Sequence, residues 1–379
     1  MNNRETMNAL ISGEKLQTIP LWIMGFSGHY GVRKIIPEDL FYPFYNEYPD
    51  GNEYDFKSIG IENINRQIIF NNYIDRPAFP IGKGANAAFG HSGPGEFNKK
   101  VIEKGPRIMI VEYETGVKKK IQFQPWFTHS FDLPVIHEED MEKLELPDPS
   151  DSLRYKGFKQ DLVYARKQGE WTVGWINGIF SSIHYFLMEY QDFLINLALK
   201  PVFAKKLISL IGNWTLKAEE MLCRQGVDCI GFCDDLGSND SMLISPEMYR
   251  EYILPWHHKI CEIAHSYGAK VHMHSHGNIM PILKDIAATG VDIINPLDPD
   301  DKMPLNEVRD ILPKKTVLCG GIDKHFFDWN ENDQYDFLKK VLNEEKKKGS
   351  FILMDSSGIP DNIGKEQFDT FMRMNRALR

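Results

Sequence analysis

The chain has 379 residues, long for one ordinary domain and within the range of an elaborated α/β barrel. A formal charge of −9 and a pI near 5.8, with lysines and arginines dispersed, exclude an electrostatic case for nucleic-acid binding. No apolar run approaches the roughly 20 residues that span a bilayer, no signal-peptide core opens the chain, and the five cysteines make no CxxC pair or even disulfide framework, so a cytoplasmic, reducing setting without membrane contact is expected.

Taken in order, residues 5–19 predict a short amphipathic helix, and Ile19-Pro20-Leu21-Trp22-Ile23-Met24 reads as a buried strand ending in a glycine-rich loop that carries His29 and Tyr30. From Pro37 to about Gly95 the pattern is irregular, with one weak strand signal at Arg66–Phe70, and predicts an elaboration over a site. Arg107–Tyr113 and Lys119–Gln124 flank Glu114-Thr115-Gly116-Val117 as a hairpin. Pro134–Asp151 is acidic and proline-rich and reads as a linker.

Beyond residue 154 helices and strands alternate. Phe158–Lys167, Ser181–Leu199, Val202–Gln225, Pro246–Tyr267, Met280–Thr289, Leu305–Ile311, Asp333–Lys347 and Lys365–Leu378 predict helices. Trp171–Trp175, Asp228–Cys233, Lys270–His274, Val291–Asn295, Thr316–Gly320 and Ser350–Met354 predict strands. With the N-terminal strand and a weaker eighth before residue 100, the order predicts an α/β fold, a (β/α)8 TIM barrel. The barrel forms one domain over residues 1–379, with residues 30–150 as an irregular and hairpin elaboration near its mouth.

Barrels of this kind place chemistry on the loops after their strands. The most informative stretch there is Lys270-Val271-His272-Met273-His274-Ser275-His276-Gly277-Asn278, where histidines recur at every second position. A strand presents such residues on one face, so the imidazoles point the same way, and two rings one step apart can share a divalent ion. Asp234 and Asp235 follow another strand and can act as acid, base or ligand. Cys319, one step before Gly320-Gly321, can supply a thiolate. Trp22, His29, Tyr30, Asn177, Asn295 and Asp323 stand at strand ends where a substrate would be held. No GxxxxGK[ST] or strand-borne GxGxxG stretch supports nucleotide binding, and no GxSxG elbow supports a hydrolase.

These residues resemble the uroporphyrinogen decarboxylase superfamily, in particular its methyltransferase-like branch. Ile19–Met24 is similar to its Pro-x-Trp-x-Met strand. Gly226-Val227-Asp228 through Asp234-Asp235-Leu236-Gly237, then Ile244-Ser245-Pro246-Glu247-Met248-Tyr249, resemble its Asp-Asp stretch and Ser-Pro helix start. His274-Ser275-His276-Gly277-Asn278, Gly290–Pro296 and Gly320-Gly321-Ile322-Asp323 continue the match in order. Gly25-Phe26-Ser27-Gly28 stands where true decarboxylases of tetrapyrroles carry propionate-binding arginines.

The resemblance implies a barrel with its site at the C-terminal mouth. In that branch a His-x-Cys pair and a late cysteine bind zinc. Here the pair reads His274-x-His276, and the late position falls in Ser356-Ser357-Gly358-Ile359-Pro360. A harder ion, zinc or another divalent metal, held by His274 and His276 with Asp234 or Asp235, is therefore implied, while the strand position of Cys319 offers a thiolate that could complete a zinc site. The implied reaction is removal of methyl from a small methoxylated aromatic or N-methylated substrate to the cobalt of a separate corrinoid protein. The alternative is decarboxylation of a small acid. A homodimer is compatible with this reading.

Overall fold

The structure, a computed structural model, describes residues 1–25, 35–37, 61–81, 100–105, 107–123 and 126–379. His29 and Tyr30 lie outside the described residues. Among those described, no helix is long and apolar enough to cross a membrane.

Eight strands run parallel: β1 (Leu21–Trp22), β2 (Phe79–Pro80), β7 (Thr172–Asn177), β8 (Cys229–Cys233), β9 (Lys270–His274), β10 (Ile293–Leu297), β11 (Val317–Gly321) and β12 (Phe351–Met354), in the order β1-β12-β11-β10-β9-β8-β7-β2. Helices fill the connections, and the sheet curls into the expected (β/α)8 barrel. Strands 7 to 12 are buried along almost their whole length because both of their faces are covered. β1 and β2 are neighbours in the chain and stand at the two ends of the hydrogen-bonded order. The buried Arg76, just before β2, spans them: Nε donates to Ile23 O at 3.0 Å and an Nη to Met24 O at 3.0 Å.

Register places the inward side chains in layers. Trp175, Gly231, His272 and Ile293 are laterally aligned on four adjacent strands, and Asn177, Cys233, His274 and Asn295 form the layer above, towards the strands' C-terminal ends. Gly231 is required where it stands: a Cβ there would lie 2.5 Å from the Trp175 ring. The lower layer is thus aromatic and tight, and the upper one polar.

A second sheet is antiparallel, β3 (Lys100–Lys104), β4 (Ile108–Glu112), β5 (Lys118–Phe123) and β6 (Trp126–Phe131), so the predicted hairpin is the centre of a four-stranded meander. Its buried Met109, Val111 and Ile121 join the main core. Tyr113 meets Phe186 edge to face at 6.1 Å, which sets this sheet against the helix Ile179–Phe186.

Three local expectations are corrected. Arg66–Phe70 is not a strand but part of the helix Ile61–Tyr73, whose buried Ile64, Ile68 and Asn71 follow a helical period, and the eighth strand is Phe79–Pro80. The first helix stops at Ile11 because Gly13 takes φ +84°, and it is opened by a capping box of Asn2 with Glu5. Ser181–Leu199 is two helices, Ile179–Phe186 and Tyr190–Leu199, parted where the Leu187 carbonyl accepts instead from Val135 N–H at 2.8 Å.

Candidate metal centre

The donor group at the upper layer is built by two strand ends and one loop. Cys233 closes β8, His274 closes β9, and the chain just past β8 carries Asp235 back over them. One ligand atom from each of Cys233, Asp235 and His274 lies within 4.8 Å of the others. His274 Nε2 stands 3.7 Å from Asp235 Oδ1, and Cys233 Sγ stands 4.0 Å from the same oxygen. Ligands about 2.0–2.3 Å from a tetrahedral zinc are roughly 3.3–3.7 Å apart, so the two distances to Asp235 Oδ1 are at or within a few tenths of an ångström of that range, and the third pair lies within 4.8 Å. The donor set of thiol, imidazole and carboxylate fits zinc or a similar divalent ion.

The electrostatics suit that use. Burial pushes His274 down, the neighbouring His276 pushes it further, and Asp235 and Asn295 oppose this only in part, leaving it at about 4. The ring is therefore a neutral donor at neutral pH. Burial acts to raise Asp235, but His274, His276, the His276 N–H (2.9 Å) and His184 together hold it below the ordinary carboxylate range. Burial, then Asp235 and Asp234, push the Cys233 thiol well up, so its ionisation needs a cation beside it.

Asp234 faces the other way, as adjacent residues at a strand end do. It is fully buried, accepting from Ser181 N–H (2.8 Å) and from His257 Nε2 (2.9 Å), whose Nδ1 accepts from the Tyr249 hydroxyl (3.1 Å). Its own N–H donates to His274 O at 2.9 Å. A Cβ at Gly178 would sit 2.3 Å from the Asp234 carboxyl carbon, so glycine opens the helix there. Asp234 thus anchors the helix Ile179–Phe186 to β9.

That helix brings His184 and Tyr185, 4.2 Å apart by ring centroids, to Asp235. Burial pushes His184 down to about 4 against the pull of Asp234 and Asp235, and raises the Tyr185 hydroxyl. Neither residue was picked out by the sequence, since their helix reads simply as apolar; only the fold joins them to the aspartate. Cys233 was missed for a similar reason: within Cys229–Cys233 it reads as one more buried strand residue.

The His276 ring stands beside His274, centroids 4.9 Å apart, outside the three-donor group. His272 lies one layer deeper between Trp22 (5.0 Å) and Trp175 (5.2 Å), with neither nitrogen in a hydrogen bond of normal length; burial, aided by His274 and opposed in part by the Asn295 side chain, pushes it down to about 3. Cys319 is buried with Sγ 3.1 Å from Met354 Sδ and is not in the donor group. Asn295 Nδ2 donates to His274 Nδ1 at 3.0 Å, and Asn177 is buried with Nδ2 unpartnered. Asp323 accepts from His325 N–H at 2.8 Å at the rim. Ser356, where the late cysteine is expected, donates its hydroxyl to the buried Asp298. Asp355, at the end of β12, accepts from Met24 N–H at 2.8 Å with Oδ2 unpartnered, and burial raises it to about 6.

Comparison with known proteins accords with this architecture. Among solved structures, a methyltransferase from Methanosarcina mazei aligns at TM-score 0.65 and 13% identity, covering 100% of this chain and 99% of that one. An octameric ribulose-1,5-bisphosphate carboxylase/oxygenase from Pyrococcus horikoshii OT3 aligns at 0.30 and 11%, over 60% of this chain and 48% of that chain. A 3-keto-D-glucoside 4-epimerase from E. coli aligns at 0.28 and 12%, over 58% and 94%; these two are too distant to argue from. No curated protein sequence matches significantly. The model of the family described as uroporphyrinogen decarboxylase matches residues 108–378, a span that includes every strand from β7 to β12 and all three donors, and the chain therefore belongs to the uroporphyrinogen decarboxylase family.

Proposed function

We propose that this chain is a methyltransferase that takes methyl from a small O- or N-methylated substrate and delivers it to the cobalt of a corrinoid carried by a separate protein. The observation that carries the reading is the Cys233, Asp235 and His274 donor set at the mouth of the barrel. The full-length likeness to a solved methyltransferase agrees with it.

Cys233, Asp235 and His274 would hold a divalent ion such as zinc, which when bound supplies Lewis acidity toward the methyl-bearing heteroatom. His274 enters as the neutral ring described above, so its binding releases no net proton. Asp235 contributes charge, and its Oδ1 is held by the His276 N–H, which limits its swing. Below the donors, Trp175 and His272 close the barrel and exclude water from under the substrate. In the transfer, the methyl–heteroatom bond breaks as cobalt(I) attacks the carbon. The electron pair stays on the heteroatom, which takes up a proton on release.

The test is methyl transfer from methoxyarenes or methylamines to added cob(I)alamin, followed by the absorbance change of the cobalt on methylation. Cobalt methylation that Cys233→Ala and His274→Ala abolish is the expected result. Release of carbon dioxide from small carboxylic acids with no cobalt methylation would instead make the chain a decarboxylase.

A further inference from the structure

His274 can bind a metal through Nε2 only if that nitrogen is free of its proton, which in a neutral ring then sits on Nδ1. The contacts of the ring assign the opposite arrangement. The Asn295 amide nitrogen lies 3.0 Å from Nδ1 and can only donate, and this contact assigns the hydrogen of the neutral ring to Nε2, the atom 3.7 Å from Asp235. The second hydrogen of the same amide meets Met354 Sδ at 3.4 Å, while Asn295 Oδ1 is buried. Both amide hydrogens are used, the carbonyl has no hydrogen bond of normal length, and the side chain also acts on His272 below it.

An amide is nearly symmetric in shape. A half-turn about its last side-chain bond exchanges Oδ1 and Nδ2 at no cost in volume. It would set the carbonyl against Nδ1 and let it accept from Nδ1–H. Metal-bound histidines regularly donate their other N–H in this way to a carbonyl or carboxylate, which fixes the ring and raises its basicity. Asn295 is laterally aligned with His274 in the ladder, so its backbone stays fixed while the amide turns.

We propose that Asn295 is the positioning residue that selects the tautomer of His274, holding it in the Nε2–H form without metal and turning its amide to accept from Nδ1–H when an ion binds. This rests on the metal reading of the Cys233, Asp235 and His274 group.

Two measurements on the full chain test it, neither depending on activity. The first is affinity for zinc and cobalt(II), by competition with a chelating dye and by the cobalt(II) visible spectrum. Asn295→Leu should weaken binding about 10–100-fold, the usual cost of losing such a partner, and alter the cobalt spectrum. Asn295→Asp, which can only accept, should restore binding to the unaltered level or tighter. Unchanged affinity and spectrum in Asn295→Leu, with the unaltered chain binding metal, would overturn the role of Asn295 alone. No binding by the unaltered chain would overturn the metal reading as well.

The second is the long-range proton–nitrogen spectrum of the imidazoles, with the His274 signals assigned by their loss in His274→Gln. The metal-free chain should carry its proton on Nε2 and the zinc-loaded chain on Nδ1. A metal-free His274 already protonated on Nδ1 would overturn the half-turn without any variant having to fold.

Discussion

At the scale of single residues, the donor group makes unequal demands on its neighbours. Zinc held by four protein ligands gains about 10–16 kcal/mol, so each ligand accounts for roughly 3 kcal/mol, or about a hundredfold in affinity. Cys233→Ala and Asp235→Asn should each lower zinc affinity by about that factor in a competition titration. Cys319→Ser should leave it within a few-fold, because Cys319 Sγ contacts Met354 and not the donor group. A large loss in Cys319→Ser with none in Cys233→Ala would move the ion to the thiol the sequence favoured.

Asp355 carries a separate residue-scale consequence. Folding raises this acid from an ordinary value near 3.8 to about 6, so the native state holds its proton more tightly. The corresponding stability is fully present below pH 3.8, and is lost as pH rises through about 6. The shift corresponds to about 3 kcal/mol for this buried group. Asp355→Asn removes the ionisation while its amide oxygen can still accept from Met24 N–H. It should therefore be more stable than the parent above pH 6, by up to about 3 kcal/mol, with the difference vanishing near pH 4. Urea denaturation at several pH values measures this, and a gap independent of pH would rule the ionisation out as its cause.

At the scale of elements, the helix Ile179–Phe186 is tied to β8 and β9 through one buried carboxylate. Asp234 binds the Ser181 N–H and His257, and its N–H binds His274 O. Removing the imidazole leaves a buried charge without its main side-chain partner, at a typical cost of about 3–5 kcal/mol. His257→Leu should lower the urea midpoint accordingly. Asp234→Asn/His257→Leu together should recover part of the loss, which a purely volumetric effect of the leucine would not allow.

The elements also show what was legible in the chain. The period-two histidines declared β9, and the alternation of helix and apolar strand after residue 154 declared the barrel, because both patterns are local. Paired aspartates facing opposite ways follow from strand geometry, but which one faces the histidine depends on His257, on a helix arriving from elsewhere. β2 was illegible because two residues, Phe79 and Pro80, carry no period. Cys233, His184 and Tyr185 were illegible as site residues because their own segments read as core. The lateral alignment of β8 and β9 brings Cys233 beside His274, and the helix Ile179–Phe186 brings His184 and Tyr185 to the group.

At the scale of the whole molecule, the junction of the barrel's first two strands is held by side chains among the described residues. Among the described residues β1 pairs only with β12 and β2 only with β7, each over two residues, and no ladder bond joins β1 to β2. Arg76 stands in for that ladder, with its guanidinium donating to the carbonyls of Ile23 and Met24. Met24 in turn donates its N–H to Asp355, so the same residue links the junction to the end of β12. Hydrogen bonds from a charged donor contribute about 1.5–3 kcal/mol each, and their loss leaves the Ile23 carbonyl buried without that donor. Arg76→Leu keeps much of the apolar stem and removes the donors, and should destabilise the fold by about 3–5 kcal/mol. Because β1 is held on its other side by β12, the loss should be local first: amide exchange should quicken at residues 21–24 and 79–81 before it does in β8 to β10. Zinc affinity at Cys233, Asp235 and His274, on the strands farther round the barrel, should stay within a few-fold. Uniform acceleration of exchange across all eight strands would show instead that the junction opens only when the entire barrel does.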